Sequence, residues 1–165
     1  SPPLYSSAAS DVYKRQRLGI DWGKARIGVA ACGRHTTVCH PVATVRAGRD
    51  ELAQLAVIVE EYEPEIIYVG YPLDLKGRLG PAAEFVRQKA TALAQRVVPT
   101  QVRLIDERMS TASASRSLGS VGRDTRSQRG IIDQAAAVEI LQTAVDVEER
   151  MGEPAGEPLH GNEDE

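Results

Sequence analysis

Aromatic side chains are scarce in this 165-residue chain: one Trp, one Phe and five Tyr, 4% of residues. Affinity built by stacking successive bases on aromatic faces is therefore not expected. Cysteine is limited to Cys32 and Cys39, with no Cys-X-X-Cys, which excludes thiolate metal centres. No apolar run approaches the ~18 residues that span a bilayer, so no membrane partner is expected. No basic, apolar, small-residue leader opens the chain, and the expected compartment is the cytoplasm. A Cys32–Cys39 disulfide is open in principle but goes against that compartment.

Net charge of either sign is nearly absent from the body once the ends are set aside. The 20 basic and 23 acidic residues give a net charge of -3, but residues 151–165 carry five acids and no Lys or Arg. Residues 17–150 hold 18 basic and 17 acidic residues, close to neutrality. Bulk charge then neither favours nor excludes a nucleic-acid partner; local clustering decides. Residues 1–16 are Pro/Ser/Ala-rich without periodicity and read as a disordered or non-native extension. Residues 151–165 offer little to bury and read as a disordered acidic tail. The length between them suits one domain.

What the body does contain is a mixed pattern. Short apolar runs at 17–21 and 26–32, separated by a four-residue turn, predict an antiparallel hairpin, and a third run follows at 41–45. Asp50 is placed to cap a helix with Leu52, Leu55, Ala56 and Val59 on its apolar face. A buried strand at 65–70 precedes a helix opened by Gly80-Pro81, with Phe85, Val86, Leu93 and Val97 inside. A fifth strand spans 102–106. Ser110 or Thr111 caps a helix to about Leu118, a Gly/Arg-rich loop follows over 119–130, and a last helix runs from about Asp133 to Arg150. The order predicts an α/β sheet of five strands, three antiparallel and then two parallel, flanked by helices.

Asp21 ends the first run, and Trp22-Gly23 turns the chain back. A carboxylate at the end of a buried strand is poorly solvated, and such a charge is usually kept to hold a cation. The plainer reading is a turn residue accepting backbone N–H groups. Glu107 and Asp106 share the end of the fifth strand. Adjacent residues there point to opposite faces, so one of the two reaches a common site; Glu107 is the candidate and Asp106 the alternative, with Arg108 able to pair with either. Asp133, before Gln134 and three alanines, reads on its own better as an N-cap.

Four pieces in order, Asp21-Trp22-Gly23, Val69-Gly70-Tyr71-Pro72-Leu73, Asp106-Glu107-Arg108-Met109-Ser110-Thr111 and Ile132-Asp133-Gln134-Ala135-Ala136-Ala137, resemble the YqgF family, also called RuvX. That family comprises Holliday-junction resolvase-like proteins and pre-16S rRNA nucleases, and the resemblance covers about residues 17–147. It implies an RNase H-like fold with the first strand central, and catalytic, metal-binding acids at Asp21, Glu107 and Asp133. Trp22, Tyr71 and Ile131 depart from the family's usual residues beside these motifs.

The chemistry agrees with that implication. Sites in open α/β sheets form beyond the carboxyl ends of strands, where Asp21 and Glu107 fall. Three converging carboxylates repel one another and call for cations. Mg²⁺ suits them, with Mn²⁺ as an alternative. Two ions about 3.5–4 Å apart would activate water and stabilise the leaving oxygen, Asp21 bridging them and Glu107 and Asp133 outside. Lys24, Arg26, Arg108, Arg123, Arg126 and Arg129 are candidate contacts to a nucleic-acid backbone, since guanidinium grips phosphate bidentately; a solvated polar loop is the plainer reading of 119–130. The expected function is a Mg²⁺-dependent nuclease on structured nucleic acid, acting as monomer or homodimer. Its substrate is the 5′ end of precursor 16S rRNA or a branched DNA junction. A non-catalytic nucleic-acid-binding transcription factor gains nothing from three acids beside phosphate. An actin-like ATP-binding unit needs about twice this length.

Overall fold

The apolar runs are continuous rather than alternating because helices cover the sheet on both faces. A computed structural model describes residues 16–33, 36–109 and 126–159, with side chains of the last stretch described from 131. Strands β1 (Arg17–Trp22) and β2 (Arg26–Cys32) form the predicted hairpin, closed by the Gly23 N–H donating to Arg26 O at 3.0 Å. β3 (Cys39–Arg46) adds antiparallel to β2, with a register shift between Val29 and Ala30. Cys32 and Cys39 face each other across that pair as free, buried thiols.

Helix α1 (Glu51–Tyr62) crosses to β4 (Ile66–Tyr71), and α2 (Pro81–Arg96) crosses to β5 (Gln101–Asp106); β1, β4 and β5 run parallel. Asp50 occupies the N-cap position of α1 but makes no side-chain cap bond. Glu51 does the capping instead, accepting the Gly48 N–H at 3.0 Å and pairing with Lys89 at 2.7 Å. Pro81 opens α2 as expected, where a missing N–H costs nothing. Leu18, Ile20, Ile27, Val69 and Leu104 meet Leu55, Val86 and Leu93 on this side.

Helix α3 (Arg126–Met151) covers the other face among the described residues, packing Ala137, Ile140, Leu141 and Ala144 on Tyr68 and Ile105. It starts at Arg126, seven residues before the predicted start, so Asp133 lies in its second turn and is not an N-cap. The expected loop over 119–130 is thereby corrected at 126–130: the helix runs through Gly130, whose weak propensity costs only about 1 kcal/mol.

Among the described residues the sheet has six strands in the order β3-β2-β1-β4-β5-β6, one more than predicted. β6 (Glu157–Leu159) pairs antiparallel with β5, so part of the acidic tail is ordered. Ala155 is buried, Gly156 turns the chain at φ 70°, and Arg103 donates to Ala155 O at 2.5 Å and Gly156 O at 2.9 Å. Backbone pairing, the Arg103 fork and an Arg87–Glu157 ion pair at 3.1 Å replace the apolar burial that the tail's composition lacks. Residues 1–15 of the extension predicted at 1–16 and the helix at 110–118 lie outside the described residues. Among the described residues no helix is long and apolar enough to cross a membrane.

Two buried charges fasten α3 at the far end of the sheet. Arg17 Nη1 meets Glu148 Oε1 at 2.7 Å with both side chains fully enclosed. The other Glu148 oxygen accepts from the Tyr68 hydroxyl, which in turn accepts the Ala155 N–H at 3.1 Å.

Candidate active site

Three residues stand level in a row across β2, β1 and β4: Gly28, Asp21 and Gly70. Asp21 is the cross-strand partner of Gly28. Ile20 pairs in parallel with Val69, so the next residues, Asp21 and Gly70, share one level and one face. That face is the α3 side, because Gly19, two residues before Asp21, abuts Leu141 and Ala137. The carboxylate of Asp21 is thus flanked on both sides by positions without side chains.

Those glycines let the other two acids in. A Cβ on Gly28 would lie 2.1 Å from Asp133 O, so the second turn of α3 rests directly on the strand backbone. A Cβ on Gly70 would lie 2.9 Å from Glu107 Oε2 and 2.5 Å from Ile140 Cδ1. Glu107 follows β5 in a 3-10 turn (Glu107–Met109), its side chain folded back over β4. Asp21 and Glu107 are only 5% and 7% exposed. Isolated glycines inside strands are the signal that sequence reading passed over: they mark close backbone approach. Gly28→Ala should therefore destabilise the protein by about 1–3 kcal/mol. A urea midpoint equal to that of the unmodified chain would mean the helix stands farther off.

Asp106 is spent elsewhere. Arg108 donates to both of its oxygens, at 3.0 Å from Nε and 2.5 Å from Nη2, which holds the Asp106 carboxyl below the ordinary carboxylate range. Of the two neighbours, Glu107 is the one on the α3 face, two residues beyond Ile105 of the α3-side core. Asp133 is not without counter-charge, as three bare carboxylates would be. Its Oδ2 accepts from Arg26 Nε at 2.8 Å, the two side chains 14% and 29% exposed. Among the described residues no three acids, histidines or cysteines stand close enough to hold one ion. The three positions meet at one end of the sheet, and the Asp133 carboxylate is turned to Arg26.

The other candidate cations are placed as follows. Lys24 is exposed, 5.7 Å above the Phe85 ring. Arg26 is the partner of Asp133, and Arg108 of Asp106, with Arg108 also reaching Leu75 O at 3.4 Å. Arg123 lies outside the described residues, as do the side chains of Arg126 and Arg129.

A family model described as RuvX: Holliday junction resolvase matches residues 15–147. A Streptomyces coelicolor protein named "Putative pre-16S rRNA nuclease" is 48% identical over 145 residues, 86% of this chain and 86% of its own. The Mycobacterium tuberculosis protein of the same name is 47% identical over 157 residues, 94% of this chain and 91% of its own. Among solved structures, Thermus thermophilus RuvC in complex with Holliday junction substrate superposes with a TM-score of 0.56 at 12% identity, covering 88% of this chain and 99% of that one. A second T. thermophilus RuvC structure gives 0.54 at 14% identity, over 87% and 99%. The RNase H-like fold expected from the motif order is the fold of this chain.

Proposed function

The chain belongs to the RuvX family, and from that premise we propose that it is a Mg²⁺-dependent nuclease that processes the 5′ end of precursor 16S rRNA. It is a hydrolase of phosphodiester bonds, and its work in ribosome biogenesis would place it in the cytoplasm, as monomer or homodimer. The observation that carries the reading is the row Gly28–Asp21–Gly70, which admits Asp133 from one side and Glu107 from the other.

The donor set fits a hard divalent cation. Asp21 and Glu107 are buried carboxylates at one end of the sheet, all donors are oxygen, and the absent side chains of Gly28 and Gly70 let Asp133 and Glu107 approach. Asp21, Glu107 and Asp133 would hold Mg²⁺, or Mn²⁺, with Asp133 leaving Arg26 to do so. When bound, the ion makes hydroxide available near neutral pH and offsets charge on the leaving oxygen. The chain's own part is to keep the Asp21 carboxylate buried at the strand end, and to hold the Asp133 side chain in reach through Arg26. Arg26, once released, and Lys24 at the rim are the candidate contacts to the substrate backbone.

A junction resolvase-like activity on branched DNA is the second reading, favoured by the description of the family. One experiment tests both: precursor 16S rRNA and a four-way DNA junction incubated side by side with Mg²⁺, with Mn²⁺ and with EDTA. Metal-dependent cutting of the RNA is the expected result. Binding without cutting of either substrate would instead mark a non-catalytic nucleic-acid-binding factor.

A further inference from the structure

Arg26 and Arg46 are direct cross-strand partners at the ends of β2 and β3. Two like charges in that relation repel, and a sequence that keeps them there needs an anion between them. Arg26 has one in Asp133 at 2.8 Å. Arg46 is exposed and has no partner among the described residues. The two arginines, with Ala25 and Thr44, line a cleft of about 240 Å³. Its floor is fixed, since Gln134 Nε2 donates to Thr44 Oγ1 at 2.9 Å and ties β3 to the turn of α3 that carries Asp133.

The cleft lies on the face and at the end of the sheet that hold Asp21. Gly28 opposes both Asp21 and Thr44, and Arg26 and Arg46 come two residues away on the same face. Strand geometry puts Arg46 within roughly 12 Å of Asp21, a reach of one or two nucleotides. We infer that the Arg26–Thr44–Arg46 cleft seats a backbone phosphate of the nucleic-acid strand, flanking the one to be cut, with Arg46 as its standing cation. The inference rests on the nuclease reading for its substrate class. It adds a site on the β3 edge. Guanidinium suits the task because its planar fork matches two phosphate oxygens.

Arg46→Ala and Arg46→Lys test the inference in EDTA, where binding is separate from cutting. Fluorescence anisotropy is read on a labelled precursor 16S rRNA fragment and a labelled four-way DNA junction, across a series of NaCl concentrations. Arg46→Ala should weaken binding severalfold and flatten the dependence of log K on log salt by about 0.7–0.9. Arg46→Lys should keep the slope and recover only part of the affinity. An effect on one probe alone assigns the phosphate to RNA or to DNA. Arg46→Ala that binds with unchanged affinity and slope overturns the subsite, and if the unmodified chain still cuts, the nuclease reading stands without it. Weakened binding by Arg46→Ala in a chain that never cuts supports the subsite and defeats the nuclease reading. A chain that binds neither probe defeats both.

Discussion

Asp21→Asn should abolish Mg²⁺-dependent cleavage, with kcat falling on the order of 10³-fold or more, because a shared metal ligand supplies several kcal/mol of transition-state stabilisation. Thermal stability should stay nearly unchanged or rise. Asn keeps the volume of a side chain that is only 5% exposed, and it removes a buried negative charge from a sheet end that Glu107 and Asp133 also approach. The two readouts together separate chemistry from folding: single-turnover cleavage at saturating enzyme, and a melting curve without metal. Cutting at the original rate would remove Asp21 from the mechanism. A large drop in melting temperature would make Asp21 a structural residue of the β1–β2 turn instead. Asp133→Asn should also lower cleavage while sparing stability, since the Arg26 hydrogen bond can persist to the amide oxygen.

Much of this arrangement is legible from residues alone. Continuous apolar runs ending in Asp21 and near Glu107 place both acids at strand ends, and the sheet does carry them there. Adjacent strand residues face opposite ways, so one of Asp106 and Glu107 reaches the site, but the sequence leaves open which; Arg108 pairs with Asp106, and Glu107 folds back over β4. Asp133 is the harder case. Locally it is an acid before three alanines, which describes a helix start as well as a ligand. Its place depends on where α3 begins and on how closely α3 meets β2, and both are tertiary matters. The helix begins at Arg126, inside the expected loop, and the close approach depends on Gly28, a residue that is informative only through what it lacks. β6 was hidden for a related reason. Glu157, Pro158 and Leu159 have no strand-like composition, and what orders them is the free edge of β5 and the reach of Arg103. The pairing of Arg26 with Asp133 spans 107 positions in the chain, and no local pattern announces it.

Arg17→Met should be the most destabilising single change away from the site, by about 3–5 kcal/mol, or ~10 °C or more in melting temperature. It leaves Glu148 fully enclosed and without its cation, still accepting from the Tyr68 hydroxyl. The double change Arg17→Met with Glu148→Leu should recover most of the loss, because a buried ion pair contributes little beyond a well-packed apolar pair. Arg17 Nε has no partner among the described residues, which further limits what the pair contributes. Asp133 and Glu148 are fifteen residues apart on α3, about 22 Å of helix. The folded fraction of Arg17→Met should therefore cleave at the original rate well below its melting temperature. Lost stability with intact chemistry would make this pair the anchor that lays α3 on the sheet. If the single variant melts with the unmodified protein, the anchor lies elsewhere on the helix, and the glycine contacts at Gly19 and Gly28 are left to hold Asp133 in place.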